Sequence, residues 1–206
     1  VTKLGAIPKK RYKTDLYSNK MLTKALTDGY PAGIFPEGGR SWTGNMRTLK
    51  TECIRLFLHH CHFPVVPVKI TSNYHAWPRW SNSIFRADVR VEIKPPIRFE
   101  PDTPLNIAEQ TLVDSIQVRP ETEDRVIRRK KDRTGKLSVV LYRCPSCRRF
   151  ETLKEVSPSF MKCVVCHYSL EIMPDLRLQT GNGSTAETFL IGDVYSDIKI
   201  TLSDLE

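Results

Sequence analysis

The chain has 206 residues, 40% of them apolar and 27% charged, which is enough to bury a core and too apolar for a mostly disordered chain. Its net charge of +9 is uneven, with 26 basic and 14 acidic side chains in residues 1–143 against 6 and 9 in residues 144–206. No run approaches the roughly 18 apolar residues of a transmembrane helix, and residues 1–20 hold no apolar core of a signal peptide, so neither element is expected within this sequence. A basic main region favours an anionic partner: a phosphate-bearing substrate, an anionic membrane surface or nucleic acid.

In chain order, Leu4, Ala6 and Ile7 form a short apolar entry. A helix is expected between Asp15 and Asp28, with Leu22, Ala25 and Leu26 on one face and Gly29 just past its end. Ala32-Gly33-Ile34-Phe35 reads as a buried strand that stops at Pro36 and enters a loop. Leu49, Cys53, Leu56, Phe57 and His60 recur at helical spacing, so a second helix is expected over residues 47–61. Residues 64–70 read as another buried strand. Residues 88–93 alternate Val89, Val91 and Ile93 with charge, the pattern of a half-exposed strand. Thr103 then caps a third helix with Pro104 as its first residue, ending near Gln117. Strands alternating with helices point to a layered α/β domain.

Residues 118–136 read as a basic linker. Its final twelve residues hold seven basic side chains and one acid, Asp132. A solvated connector and a membrane- or nucleic-acid-facing patch both fit. Residues 137–142 look strand-like. The run from Phe189 onward alternates apolar residues without a role that the sequence assigns.

The loop Phe35-Pro36-Glu37-Gly38-Gly39-Arg40-Ser41 carries the clearest chemistry. Glycines let backbone N–H groups approach a ligand, and Arg40 can grip a phosphate with two parallel N–H bonds. Glu37 could orient Arg40 or accept from a substrate hydroxyl. An ordinary turn with a surface ion pair is the plain alternative.

This loop resembles the Phe-Pro-Glu-Gly-Thr-Arg-Ser block of the glycerolipid acyltransferase family, with Gly39 where the family has Thr. Leu4-Gly5-Ala6-Ile7 followed by Arg11, the basic stretch from Arg47 to Lys50, and Val65-Val66-Pro67-Val68 are similar to other blocks of that family in order. The resemblance covers residues 1–117. It implies transfer of a fatty acyl group from acyl-CoA or acyl carrier protein to a glycerol-3-phosphate or lysophosphatidate acceptor, in phospholipid biosynthesis. It further implies that Arg11, Glu37, Gly38, Arg40 and Ser41 bind the acceptor and that Val66 and Pro67 border the acyl donor. The expected place is peripheral, on the cytoplasmic side of a membrane. The family's catalytic His-x-x-x-x-Asp should precede Arg11. The positions five after His59, His60, His62, His75 and His167 are Pro64, Val65, Pro67, Trp80 and Ile172, so the motif is absent from this sequence. With Val1 and not Met at the start, the expectation is that the catalytic His and Asp lie upstream; a degenerate, non-catalytic relative is the alternative.

His59, His60 and His62 crowd one helix end, where interaction with the helix dipole is favoured over a metal site. Cys53 and Cys61 read as small apolar side chains. Trp77 and Trp80 flank Arg79, and suit either a membrane interface or a loop capping the core.

Cys144-x-x-Cys147 and Cys163-x-x-Cys166, 15 residues apart, have the spacing of a structural four-thiolate zinc site, since two knuckles close one tetrahedron. Two disulfides or a redox pair are the competing readings. The expected organisation is therefore α/β: part of an acyltransferase domain over residues 1–117, the linker over 118–136, a zinc ribbon over 137–176 and a tail over 177–206. A zinc-ribbon nucleic-acid-binding protein is the competing function. The acidic ribbon half and the lack of aromatics interleaved with basic residues make nucleic acid an unfavoured partner.

Overall fold

The computed structural model describes residues 5–9, 15–60, 62–119, 133–180 and 186–199. Helix α1 (Leu16–Thr27) starts where Asp15 accepts the Ser18 N–H at 3.1 Å, and Gly29 takes a positive φ just past its end. The Ser18 hydroxyl donates to the Pro8 carbonyl at 2.6 Å, tying the entry segment to α1. Helix α2 (Thr51–His59) is shorter than its periodicity implies, and Leu49 packs from the extended approach to it.

Strand β1 (Val68–Thr71) pairs antiparallel with β2 (Arg90–Ile93), Val68 opposite Ile93 and Ile70 opposite Val91. Between them lies the short helix α3 (Asn73–Ala76). Residues 64–70 are not the buried strand expected: Val65 makes a single bridge to Ile97, and Val66 and Val68 are exposed. Strand β2 is exposed along its whole length, so its alternation does not mark a buried face. Residues 32–35 form no strand. Among the described residues no strand pairs with them, and an apolar run without a ladder partner has nowhere to bury; Phe35 is 80% exposed.

Helix α4 (Leu105–Ile116) ends at Gln117 as the sequence implies, but its cap is Pro104. Thr103 is engaged elsewhere: its hydroxyl accepts the Glu100 N–H at 2.9 Å and its own N–H donates to the Glu100 carbonyl at 3.0 Å, closing a turn before the helix. Leu49, Ile54, Phe99, Ala108 and Leu112 bury together between α2 and α4.

The second half is built on an antiparallel sheet of β3 (Leu153–Ser157), β4 (Phe160–Cys163), β5 (Ser169–Ile172), β6 (Leu178–Thr180) and β7 (Glu187–Phe189), each paired with the next. Residues 137–142 are not a strand. Helix α5 (Leu137–Val140) forms there because Leu137, Val140 and Leu141 fall at helical spacing and all three are buried. Past residue 176 the chain stays in this unit. Strands β6 and β7 extend the sheet, and helix α6 (Ile191–Ile198) buries Ile191 and Ile198 against it. The fold is thus mixed, with helices beside antiparallel sheets and a compact four-cysteine module.

Among the described residues the halves meet at several places, Trp80 and Gly192 among them. Trp80 and Phe85 lie in the core beneath the five-stranded sheet, and the Trp80 carbonyl accepts the Lys136 N–H at 2.9 Å. Gly192 lets the first turn of α6 approach residues 43–45, since a Cβ there would sit 2.6 Å from Asn45 Nδ2.

Candidate anion site and metal centre

The loop 35–41 is held as a tight turn. Gly38 donates to the Phe35 carbonyl at 3.0 Å and needs its positive φ of 69°, a conformation that glycine takes without steric cost. Lys50 donates its N–H to the Pro36 carbonyl at 2.8 Å, fastening the turn to the start of α2. Glu37 does not reach Arg40. Its Oε2 accepts the Arg47 N–H at 2.8 Å, so the carboxylate braces the backbone behind the loop. The Ser41 hydroxyl accepts from Thr43 and Gly44 at 3.2 and 3.0 Å, which spends it on the next turn.

Arg40 is exposed and stacked. Its Cζ lies 4.2 Å from the Trp77 ring centroid, and Nη1 donates to the Trp77 carbonyl at 3.4 Å. Arg79 answers from the other side: its Cζ lies 4.4 Å over Trp42, and its Nη1 donates to the Arg40 carbonyl at 3.2 Å. Trp77 therefore clamps the loop. Trp80 serves differently, buried in the core with Nε1 donating to the Tyr74 hydroxyl at 3.2 Å. Burial pushes the Tyr74 phenol above its ordinary range, and the Trp80 hydrogen bond only partly opposes this.

The structure brings together Glu37, Gly38, Arg40 and Ser41. Arg11 lies outside the described residues, as does Cys61. Val66 and Pro67 sit at the approach to β1, where the Pro67 carbonyl accepts the Lys94 N–H at 2.9 Å. Among the described residues no hydrogen bond or ring contact ties either of them to the loop 35–41. Sequence reasoning missed Trp77 and Arg79 as partners of Arg40, and Trp42 as the ring that carries Arg79. The sole local signal was Arg79 between two tryptophans, and the pairing across 39 residues is a tertiary event.

His60 packs in T-shaped contact with both neighbours, His59 at 4.8 Å and His62 at 6.0 Å between centroids. His60 Nε2 lies 3.2 Å from the Thr23 hydroxyl, linking α1 to α2. Burial lowers the His60 pKa, with His59 and His62 adding to the effect. Cys53 is buried in α2, and that burial pushes its thiol up.

The four cysteines of the second half converge. The Sγ atoms of Cys144, Cys147, Cys163 and Cys166 all lie within 4.8 Å of one another. Cys144 to Cys166 and Cys147 to Cys163 are each 3.7 Å apart, far beyond a disulfide bond of about 2.05 Å. A tetrahedron with metal–sulfur bonds of about 2.3 Å has edges of about 3.8 Å, so the spacing fits a four-thiolate metal centre. The knuckle backbones favour thiolates. Burial opposes ionisation of Cys163, but hydrogen bonds from Thr152 and from the Cys166 and Val165 N–H groups outweigh it and bring the thiol down to about 6. Cys166 is lowered chiefly by the Tyr168 N–H, while burial pushes Cys144 up to about 12. Such a centre is closed by protein sulfur and would supply structure and no open coordination position. Among the described residues this is the one cluster that could hold a metal ion; the histidines form none.

One family model matches part of the first half. Residues 1–71 match the family model described as Acyltransferase. The acyltransferase match spans about a third of the chain and takes in the loop 35–41, α1, α2 and β1. It stops before Trp77 and Arg79. Each block that carried the glycerolipid acyltransferase resemblance up to Val68 falls within it. No curated protein and no solved structure matches the chain. The match points to acyl transfer as the reaction class. Among the described residues no helix is long and apolar enough to cross a membrane.

Proposed function

We propose that this chain is part of an O-acyltransferase that moves a fatty acyl group from acyl-CoA or acyl carrier protein to the hydroxyl of a glycerol-3-phosphate or lysophosphatidate acceptor. The observation that carries the reading is the exposed guanidinium of Arg40, held in a fixed plane on Trp77 at the mouth of a glycine turn within the acyltransferase match. A planar, pre-oriented guanidinium suits bidentate recognition of a phosphate and loses little freedom on binding. The role of Glu37 in this reading is indirect: it fixes the Arg47 backbone and so the loop that carries Arg40. Chemistry in this family type needs a base to take the acceptor proton, so that the hydroxyl oxygen can attack the thioester carbonyl. This sequence lacks the His-x-x-x-x-Asp pair for that step, and the 206 residues alone are expected to turn over no acceptor above background.

The metal proposed for the four cysteines is zinc, in a structural role. Peripheral membrane contact is part of the same proposal. Support comes from the face of the β1–β2 ladder, where Val68, Val91 and Ile93 stand exposed side by side. Nucleic-acid binding has no such support.

The test compares acceptor and donor binding. Arg40→Lys replaces a bidentate fork by a point charge, and should weaken binding of 1-acylglycerol 3-phosphate by about 1–3 kcal/mol while leaving acyl-CoA binding unchanged. Equal acceptor affinity in the two proteins, measured by calorimetry, would remove Arg40 from the acceptor site.

A further inference from the structure

Gly39 is where the loop departs from the Thr of the resembling family, and the structure gives that departure a use. A Cβ on Gly39 would lie 3.1 Å from Arg47 Nη1 and 3.9 Å from Arg79 Nη1. The space that a threonine side chain would fill is therefore the space toward which two guanidiniums converge. Arg40 is the next residue, and Arg79 already touches its carbonyl at 3.2 Å. The backbone at Gly39 does not require glycine, since only Gly38 in this turn takes a positive φ. What Gly39 provides is room.

None of the three guanidiniums is neutralised by a carboxylate among the described residues. Arg40 lies on Trp77 and Arg79 lies on Trp42, so each cation stacks on a ring from the other's segment. Stacking fixes the guanidinium planes and leaves N–H edges for a ligand. The one carboxylate of the loop, Glu37, points its Oε2 to the Arg47 backbone. Behind Arg79 the chain is fixed, because Pro78 is fully buried and Trp80 is locked into the core of the four-cysteine module.

We propose that Arg79 is an anion-binding residue and that Gly39 leaves room for it. Together with Arg40 and Arg47 they form a cradle for the dianion of a phosphate monoester. The proposal rests on the reading that the loop 35–41 takes the acceptor phosphate, and adds the charge state of that phosphate. One or two guanidiniums suffice for a singly charged phosphodiester. A third favours the monoester, which carries close to two negative charges above its second ionisation near pH 6. A soluble glycerol phosphate and a lipid with a terminal phosphate present the same group, and the probes below separate them.

The experiment titrates the 206-residue chain with glycerol 3-phosphate and with the diester glycerophosphoglycerol, between pH 5 and 8. Vesicles carrying phosphatidate or phosphatidylglycerol repeat the comparison at a lipid surface. The wild-type chain should prefer the monoester, and the preference should grow as pH rises through about 6. Arg79→Gln should cost about tenfold or more in monoester affinity, leave the diester nearly unchanged and flatten the pH dependence. Gly39→Thr should act in the same direction by crowding Arg47 and Arg79, and it stands as the second variant if Arg79→Gln does not fold. A lost stack alone would weaken monoester and diester equally and keep the pH dependence, which would overturn the proposal. Loss of binding in Arg40→Gln with none in Arg79→Gln or Gly39→Thr would overturn this inference and leave the reading of the loop standing. No monoester binding by the wild-type chain would overturn both. A preference for phosphatidate vesicles over soluble glycerol 3-phosphate would assign the cradle to a lipid phosphate; the reverse would assign it to the soluble one.

Discussion

The two halves of the molecule divide chemistry and stability unequally. The first half, of which residues 1–71 match the acyltransferase family model, buries a small cluster around Ile54 and Leu112, and leaves Phe35, Val91 and Ile93 exposed. The four-cysteine half builds an antiparallel sheet over a larger cluster running from Leu137 to Ile198, and takes Trp80 and Phe85 from the other half into it. The loop 35–41 thus stands on the less packed half, and a segment locked into the better packed one clamps it. The basic linker is not where the cores divide. A core follows side chains that bury together, and Trp80 buries with the four-cysteine module although it lies near the acyltransferase match in sequence.

The largest expected effect comes from removing the metal staple. Structural zinc in small modules contributes roughly 10–16 kcal/mol of apparent binding free energy at pH 7, and that energy is folding energy. Chelation, or Cys144→Ser, should abolish amide protection across β3–β7 and α6, as read by hydrogen exchange. Because Trp80 and Phe85 share that core, residues 77–85 should lose protection with it, while α2 and α4 keep theirs. Protection of 77–85 that survives chelation would return the division of the cores to the linker.

Next in size are two core truncations that should act on separate halves. Trp80→Ala and Ile54→Ala each empty a fully buried site and should cost about 3–5 and 2–5 kcal/mol respectively. Trp80→Ala should destabilise the metal module, and Ile54→Ala should leave it intact, with stability followed by denaturant unfolding and metal retention. Equal loss of metal in both variants would show one cooperative unit.

A smaller effect is expected from pH. Burial lowers the His60 pKa in the fold, so the unfolded chain binds more protons as pH falls below the ordinary histidine value near 6.5. Stability of the α1–α2 contact is therefore present at pH 7.5 and should fall toward pH 5.5. His60→Gln should flatten that dependence in thermal melts; an unchanged slope would assign it to other groups.

The sequence made some of this legible and not the rest, for physical reasons. Helix α1 was readable because its start and stop are local: Asp15 caps it and Gly29 takes the left-handed turn. The four-cysteine cluster was readable because each Cys-x-x-Cys knuckle is local and their closure is a matter of spacing. The loop 35–41 was readable as a turn with an exposed Arg, since Gly38 demands it. Residues 32–35 were misread because a strand depends on a neighbour that local pattern does not supply. Residues 137–140 were misread because a short apolar run has no clear period, and only burial of Leu137, Val140 and Leu141 on one side makes it helical. The clamp of Arg79 on Trp42 joins distant residues and leaves no periodic trace.

The claim that the loop 35–41 is a phosphate site is tested most directly at the guanidinium itself. Side-chain Nε–Hε resonances of Arg40 should be followed by NMR as glycerol 3-phosphate is added to the 206-residue chain, with plain glycerol as the control. The account predicts a saturable shift of the Arg40 resonance with glycerol 3-phosphate and none with glycerol. An Arg40 resonance that stays in place, or that moves equally with both, would contradict it.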